Sequence, residues 1–255
     1  MCLRFLLLLA LALLGLTFFS CKNGSAEKTD TPPASEGKVQ FMALYGTPTI
    51  NGASDDAVWQ NAAWLPLDQV WIGMPPTPAD FAGRYKLAWD DNNLYILAEI
   101  ADDTLVDTHP DGLLRYWDDD CLEIFVDEDN SGGSHQYSYN AFAYHIALDG
   151  KVVDIAPDKS FQYYNDHCTT RRTTQGYTTT WEVAMQIFDG NKYVDGGDNI
   201  PRLLQTGKKM GFMLAYCDND KSAERENFVG NVAIAGTDKN RGFIDASVFG
   251  VLELQ

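Results

Sequence analysis

Apolar residues recur at every second position through most of this chain, and the period of 3.6 expected of helices is scarce. In Tyr177–Ile187 the residues Thr179, Trp181, Val183, Met185 and Ile187 alternate with Thr180, Glu182, Ala184 and Gln186, the pattern of a half-buried antiparallel strand. Tyr85–Trp89 and Leu94–Ile100 are strand-like runs joined by Asp90-Asp91-Asn92-Asn93, a good hairpin connection. Gln136–Leu148 reads as one long alternating strand that ends at Asp149-Gly150 and pairs with Lys151–Ile155. Met210–Cys217, Phe228–Ala235 and Phe249–Leu254 add further strands. The pattern predicts an all-β domain, an antiparallel, jelly-roll-like β-sandwich of about nine or ten strands. One short helix is predicted, over Ser54–Trp59, with Ser54 as its cap and Asp55-Asp56 in its first turn.

The strand at the centre of this pattern is Cys121–Val126. Alternation puts Leu122, Ile124 and Val126 on one face and Cys121, Glu123 and Phe125 on the other. A carboxylate flanked by a thiol and a phenyl ring is poorly placed for bulk water and needs a partner. Trp117 lies just upstream on a loop among aspartates. A stacking aromatic beside a carboxylate that accepts two hydroxyl hydrogen bonds matches the chemistry of a sugar ring. The same residues also fit plain packing, with Trp117 capping the core edge and Glu123 paired with a buried arginine.

The N-terminus breaks the strand pattern. Arg4 precedes an uncharged apolar run, Phe5–Phe19, too short for a comfortable membrane span but suited to a signal peptide. Ser20-Cys21 at its end resembles a bacterial lipoprotein signal, although Phe18 departs from the usual aliphatic residue. Residues 1–20 are therefore expected to be a lipoprotein signal peptide, with Cys21 lipidated. Residues 21–38, rich in Gly, Ser, Thr, Pro and Lys, form a flexible tether, and residues 39–255 the globular domain. The expected location is the bacterial cell envelope, lipid-anchored at the outer membrane.

The net charge is −17, and loss of Arg4 with the signal moves it to −18. Such acidity argues against nucleic acid and anionic polysaccharide as partners and suits neutral glycans or calcium. Cys121, Cys168 and Cys217 remain in the domain. Cys121 and Cys217 both fall on predicted strands, where a bridge or two buried free thiols are the alternatives. On the strand Gln136–Leu148, Ala141, Ala143 and Ala147 surround His145 and leave room for a ligand or a closely packed sheet. Clustered aspartates at 55–56, 102–103, 118–120, 127 with 129 and Asn130, and 218 with 220 are oxygen-rich, but none fits the EF-hand pattern. There is no nucleophile elbow, P-loop, dinucleotide fingerprint or zincin motif. A glycosidase carboxylate pair and a haem site using His145 with Met185 or Met213 stay open as alternatives.

Taken together, several segments resemble the family 9 carbohydrate-binding modules. They are Ile50–Trp59 (INGASDDAVW), Leu87–Ile100 (LAWDDNNLYILAEI), Tyr116–Asp127 (YWDDDCLEIFVD), Trp181–Ala184, Gly211–Ala215 and Phe249–Leu254. The resemblance implies a β-sandwich with structural calcium. It also implies a sugar sandwiched by two aromatic rings, with its hydroxyls bonded by Glu, Arg and Asn side chains. Residue by residue it places Trp117 at the first aromatic position, Glu123 at the Glu, Phe243 where the second ring is usually a tryptophan, and Asn240 near the Asn. The Arg position falls around Tyr144–His145, where no arginine stands, so hydroxyl recognition must differ. The implied function is non-catalytic binding of a neutral oligo- or polysaccharide at Trp117, Glu123, His145, Asn240 and Phe243.

Overall fold

The computed structural model describes residues 37–109 and 111–255; the expected signal peptide, Cys21 and nearly all of the tether lie outside them. Gly37–Gln255 form one compact unit. Its strands are β1 Gln40–Tyr45, β2 Leu65–Leu67, β3 Gln69–Ile72, β4 Phe81–Trp89, β5 Leu94–Asp102, β6 Cys121–Asp127, β7 Phe142–Ala147 and β8 Val152–Ile155. They continue as β9 Phe161–Tyr163, β10 Cys168–Gln175, β11 Thr178–Met185, β12 Lys209–Asp218, β13 Asn227–Gly230 and β14 Gly250–Leu254.

The chain folds as a β-sandwich whose two sheets share β1. One layer runs β1-β14-β12-β6-β7-β8-β9 and the other β1-β4-β5-β11-β10. Residues 40–43 of β1 pair with β14 and residues 44–45 with β4, both in parallel. The sheet is therefore mixed where an antiparallel one was expected, because β1 passes from one layer to the other. The strand count also exceeds the expected nine or ten, since fourteen strands form among the described residues.

Two elements differ from the sequence expectation for local reasons. The helix covers Ala57–Asn61, its cap is Asp56 without a side-chain capping bond, and its first turn holds no acidic residue. Ser54 and Asp55 stay outside the helix, where Asp55 N–H turns back to the Ala53 carbonyl (2.6 Å), and residues 51–52 are tied to a strand. Glu182 of β11 accepts the backbone N–H groups of Asn51 (2.9 Å) and Gly52 (2.8 Å) on Oε2, and Trp59 Nε1–H (2.9 Å) on Oε1. The long strand expected over Gln136–Leu148 is confined to Phe142–Ala147, and 136–140 form turns. Gly190 lies against the Tyr139 carbonyl with no room for a Cβ, so 139–140 pack on the 190 turn instead of extending the ladder.

Every residue of β6 is buried. Its second face is covered by aromatic rings: Phe125 meets Trp71 (6.3 Å between centroids) and Phe249 (5.7 Å), and Trp71 meets Phe228 (5.0 Å). Trp71 lies so close over Gly230 that a Cβ there would overlap its ring. This aromatic roof stops short of Glu123, and the cleft described next opens there.

Candidate functional site

Trp117, Glu123, His145, Asn240 and Phe243 all line one cleft of about 320 Å³. Glu123 and His145 are register partners on β6 and β7 and are almost fully buried, whereas Trp117 is half-buried and Phe243 is 36% exposed. The carboxylate and imidazole thus form the floor and the two rings the rim. Ala143 lines the cleft beside them and supplies the open space. Trp117 is less free than its loop setting suggested, because Tyr116 (5.0 Å) and Phe161 of β9 (5.8 Å) hold it edge-on.

The partner of Glu123 is a histidine and not the arginine that packing suggested. His145 Nε2 lies 3.1 Å from Glu123 Oε2, and its Nδ1 donates to the Ala143 carbonyl at 3.2 Å. Burial pulls the His145 pKa down, but the charge and hydrogen bond of Glu123 outweigh it and hold the pKa above the ordinary value. Met185 and Met213 are fully buried in the apolar core and neither lines the cleft of His145, so a haem ligand pair is not assembled there. Glu123 Oε1 makes no hydrogen bond among the described residues and is left for a ligand.

Arg225, in the β12–β13 connection, also lines this cleft. It was missed in the sequence because the highly charged stretch Asp218–Glu226 reads as a solvated loop. Its Nη1 donates to Cys217 Sγ (3.0 Å) and its Nη2 approaches Asn240 Oδ1 (3.5 Å), while the guanidinium lies 4.2 Å from the Phe228 ring centre. Burial pushes the Arg225 pKa down, but Cys217 and Glu123 more than restore it. An arginine therefore reaches the site from a position the strand register did not suggest. Asp154 of β8 lies in the same cleft; burial pushes it to about 6, although its two oxygens accept the N–H groups of Ala143 (2.8 Å) and Ile155 (2.7 Å).

A larger groove, about 890 Å³, runs along the 188–208 segment. Its cations are paired, Lys192 with Asp189, and Arg202 and Lys208 with Glu128, and none of its charged side chains is buried. The smaller cleft has the chemistry of a binding site.

Residues 50–255 match the model of the carbohydrate family 9 binding domain-like family. The chain belongs to this family. It is 33% identical over 220 residues, 86% of this chain, to endo-1,4-beta-xylanase A of Thermotoga maritima, and 25% identical over 197 residues, 76% of this chain, to the enzyme of that name from Thermoanaerobacterium saccharolyticum. It spans only 18% and 16% of the length of those relatives. The fold is similar to a family 9 carbohydrate-binding module from Caldicellulosiruptor kristjanssonii solved with cellotriose. The TM-score is 0.63 at 20% identity, covering 85% of this chain and 93% of that one. The same module solved with glucose matches equally well.

The family resemblance also implied calcium, and this family 9 chain has residues that fit it. Asp102, Asp120 and Asp218, from three separate aspartate groups in the sequence, meet with carboxylate oxygens within 4.8 Å of one another. All three are buried, and Asp218 Oδ2 has no protein partner. Burial is the largest cause in each and pushes them to about 6, about 9 and about 8 respectively; repulsion from Asp102 comes next for Asp120 and Asp218, while hydrogen bonds from Thr104 and Tyr216 hold Asp102 lower. An all-oxygen set of this kind suits a hard cation. Asp127 Oδ1 and Asn130 Oδ1, at the end of β6, are likewise buried without partners.

Proposed function

We propose that this chain is a non-catalytic module that binds a neutral sugar in the Trp117–Phe243 cleft. The observation that carries the reading is the pairing of rim aromatics with an unengaged Glu123 oxygen on a buried floor. Ring stacking buries apolar sugar faces, and charge-assisted hydrogen bonds from hydroxyls to Glu123 and from Arg225 add specificity. Hydrolysis needs a carboxylate pair free to act on opposite sides of a bond. Here Glu123 is ion-paired and both Asp154 oxygens hold backbone N–H groups.

The candidate glycans are β-1,4-linked glucose and xylose oligomers, because two similar structures were solved with cellotriose and glucose and the relatives include endo-1,4-beta-xylanases and an exoglucanase. A screen against immobilised neutral glycans with parallel product analysis tests the reading. Saturable binding without released product is expected; release of oligosaccharide would replace it with the enzyme reading.

Calcium at Asp102, Asp120 and Asp218 is proposed as a structural cofactor that neutralises three crowded carboxylates. At a hundredfold excess over its dissociation constant it would add about 2.7 kcal/mol, roughly 5–10 °C in Tm for a domain of this size. Scanning calorimetry with and without a chelator checks this, and an unchanged Tm would count against it.

Anchoring through lipid on Cys21, in a cell-envelope setting for glycan capture, is also proposed, on the apolar run and Ser20-Cys21. Cys21→Ala should move the protein from the membrane fraction to the soluble fraction or leave it uncleaved. Unchanged partition would refute the anchor.

A further inference from the structure

Beneath the proposed sugar site, next to Glu123 and His145, lie two thiols that carbohydrate binding does not need. Cys217 and Cys121 are register partners on β12 and β6, both fully buried and both free thiols. Cys217 Sγ lies 3.9 Å from Glu123 Oε2, the oxygen that also sits 3.1 Å from His145 Nε2. The Cys217 sulfur, the His145 nitrogen and the Glu123 oxygen all fall within 4.8 Å of one another. They come from three adjacent strands, β12, β6 and β7, so the ladder fixes their spacing.

The geometry points to a site for a borderline divalent cation, Zn²⁺ in particular, bound by Cys217 Sγ, His145 Nε2 and Glu123 Oε2 at the floor of the cleft. Zinc bonds of about 2.0–2.3 Å to N, O and S donors give tetrahedral edges of roughly 3.3–3.7 Å. The observed 3.1 and 3.9 Å separations bracket these, so shifts of a few tenths of an ångström admit the ion.

The neighbouring groups suit a metal as well. His145 donates Nδ1–H to the Ala143 carbonyl, the second hydrogen bond that orients zinc-bound imidazoles and directs Nε2 at the ion. Binding would release the Nε2 proton now shared with Glu123, and the Cys217 proton if the thiol holds one. Arg225 Nη1 already donates to Cys217 Sγ at 3.0 Å and offsets the negative charge of the thiolate.

A sulfur, a nitrogen and one oxygen favour zinc or a similar transition metal over calcium. This separates the site from the all-oxygen cluster of Asp102, Asp120 and Asp218. Three protein ligands leave a fourth position for an exchangeable ligand.

The test is cobalt(II) titration of the purified protein, followed by competition with zinc. Uptake of one Co²⁺ with a near-ultraviolet thiolate-to-cobalt charge-transfer band, displaced by Zn²⁺, is expected. Cys217→Ser should abolish the band, and Cys168→Ser, which alters a buried thiol outside the site, should keep it. If Cys217→Ser fails to fold cooperatively, His145→Gln carries the test. It retains the thiolate and the band but should weaken metal affinity by roughly 10–100-fold or more, the scale seen even for outer-shell changes. No charge-transfer band in the wild-type protein, a band that survives Cys217→Ser, or unaltered affinity in His145→Gln would each overturn the assignment. These readouts do not involve sugar, so they stand or fall apart from the carbohydrate-binding reading.

Discussion

Glu182→Ala is expected to destabilise the domain by about 4 kcal/mol, because three donors lose their only acceptor at once. Glu182 and Trp59 are fully buried, and the carboxylate ties together Asn51, Gly52 and Trp59 on its two oxygens. A buried donor left without a partner costs roughly 1–3 kcal/mol, more when the lost acceptor was charged. The three losses are not additive, which keeps the total near 4. At roughly 2–4 °C per kcal/mol, thermal unfolding should move down by about 8–16 °C. Glu182→Gln should recover only part of this, since an amide offers one acceptor oxygen to donors that now use two. Glycan affinity per folded molecule should not change, because β11 lies in the layer that does not carry the cleft. A loss below about 1 kcal/mol would mean that apolar packing alone holds segment 50–59.

Trp117→Ala is expected to weaken sugar binding by about 2 kcal/mol, near 30-fold, the usual scale for an aromatic anchor. Its effect on folding should be smaller. Trp117 is half-buried at the rim, and its edge contacts are to Tyr116 and Phe161. Glu123→Gln keeps the shape but removes the charge that raises the His145 pKa, so it separates recognition from packing. Thermal stability and calorimetric affinity measured on both variants check the pair. Loss of stability with intact affinity would mark these residues as core and not as a binding site.

Much of this was legible in the sequence because strands announce themselves by alternation. β11, with its Trp181, Val183 and Met185, and the β4–β5 hairpin appear in the structure within a few residues of expectation. β10 was invisible for a physical reason: CTTRRTTQ is a mostly exposed strand at the end of its layer and carries no apolar face to read. The parallel pairing of β1 depends on which layers its two halves join, and a single strand cannot encode that by its period. At the site, Trp117, Glu123, His145, Asn240 and Phe243 could be proposed because each stood out chemically or matched a family position. Arg225 could not, since its role depends on Cys217 and Phe228 folding back against it. The grouping of Asp102, Asp120 and Asp218 likewise exists only in three dimensions.

A crystal structure with the identified glycan bound tests the central claim most directly. One sugar ring should lie against Trp117 and Phe243, with a hydroxyl about 2.7–3.1 Å from Glu123 Oε1. A glycan seated instead in the groove along residues 188–208, with the Trp117 cleft empty, would contradict the account.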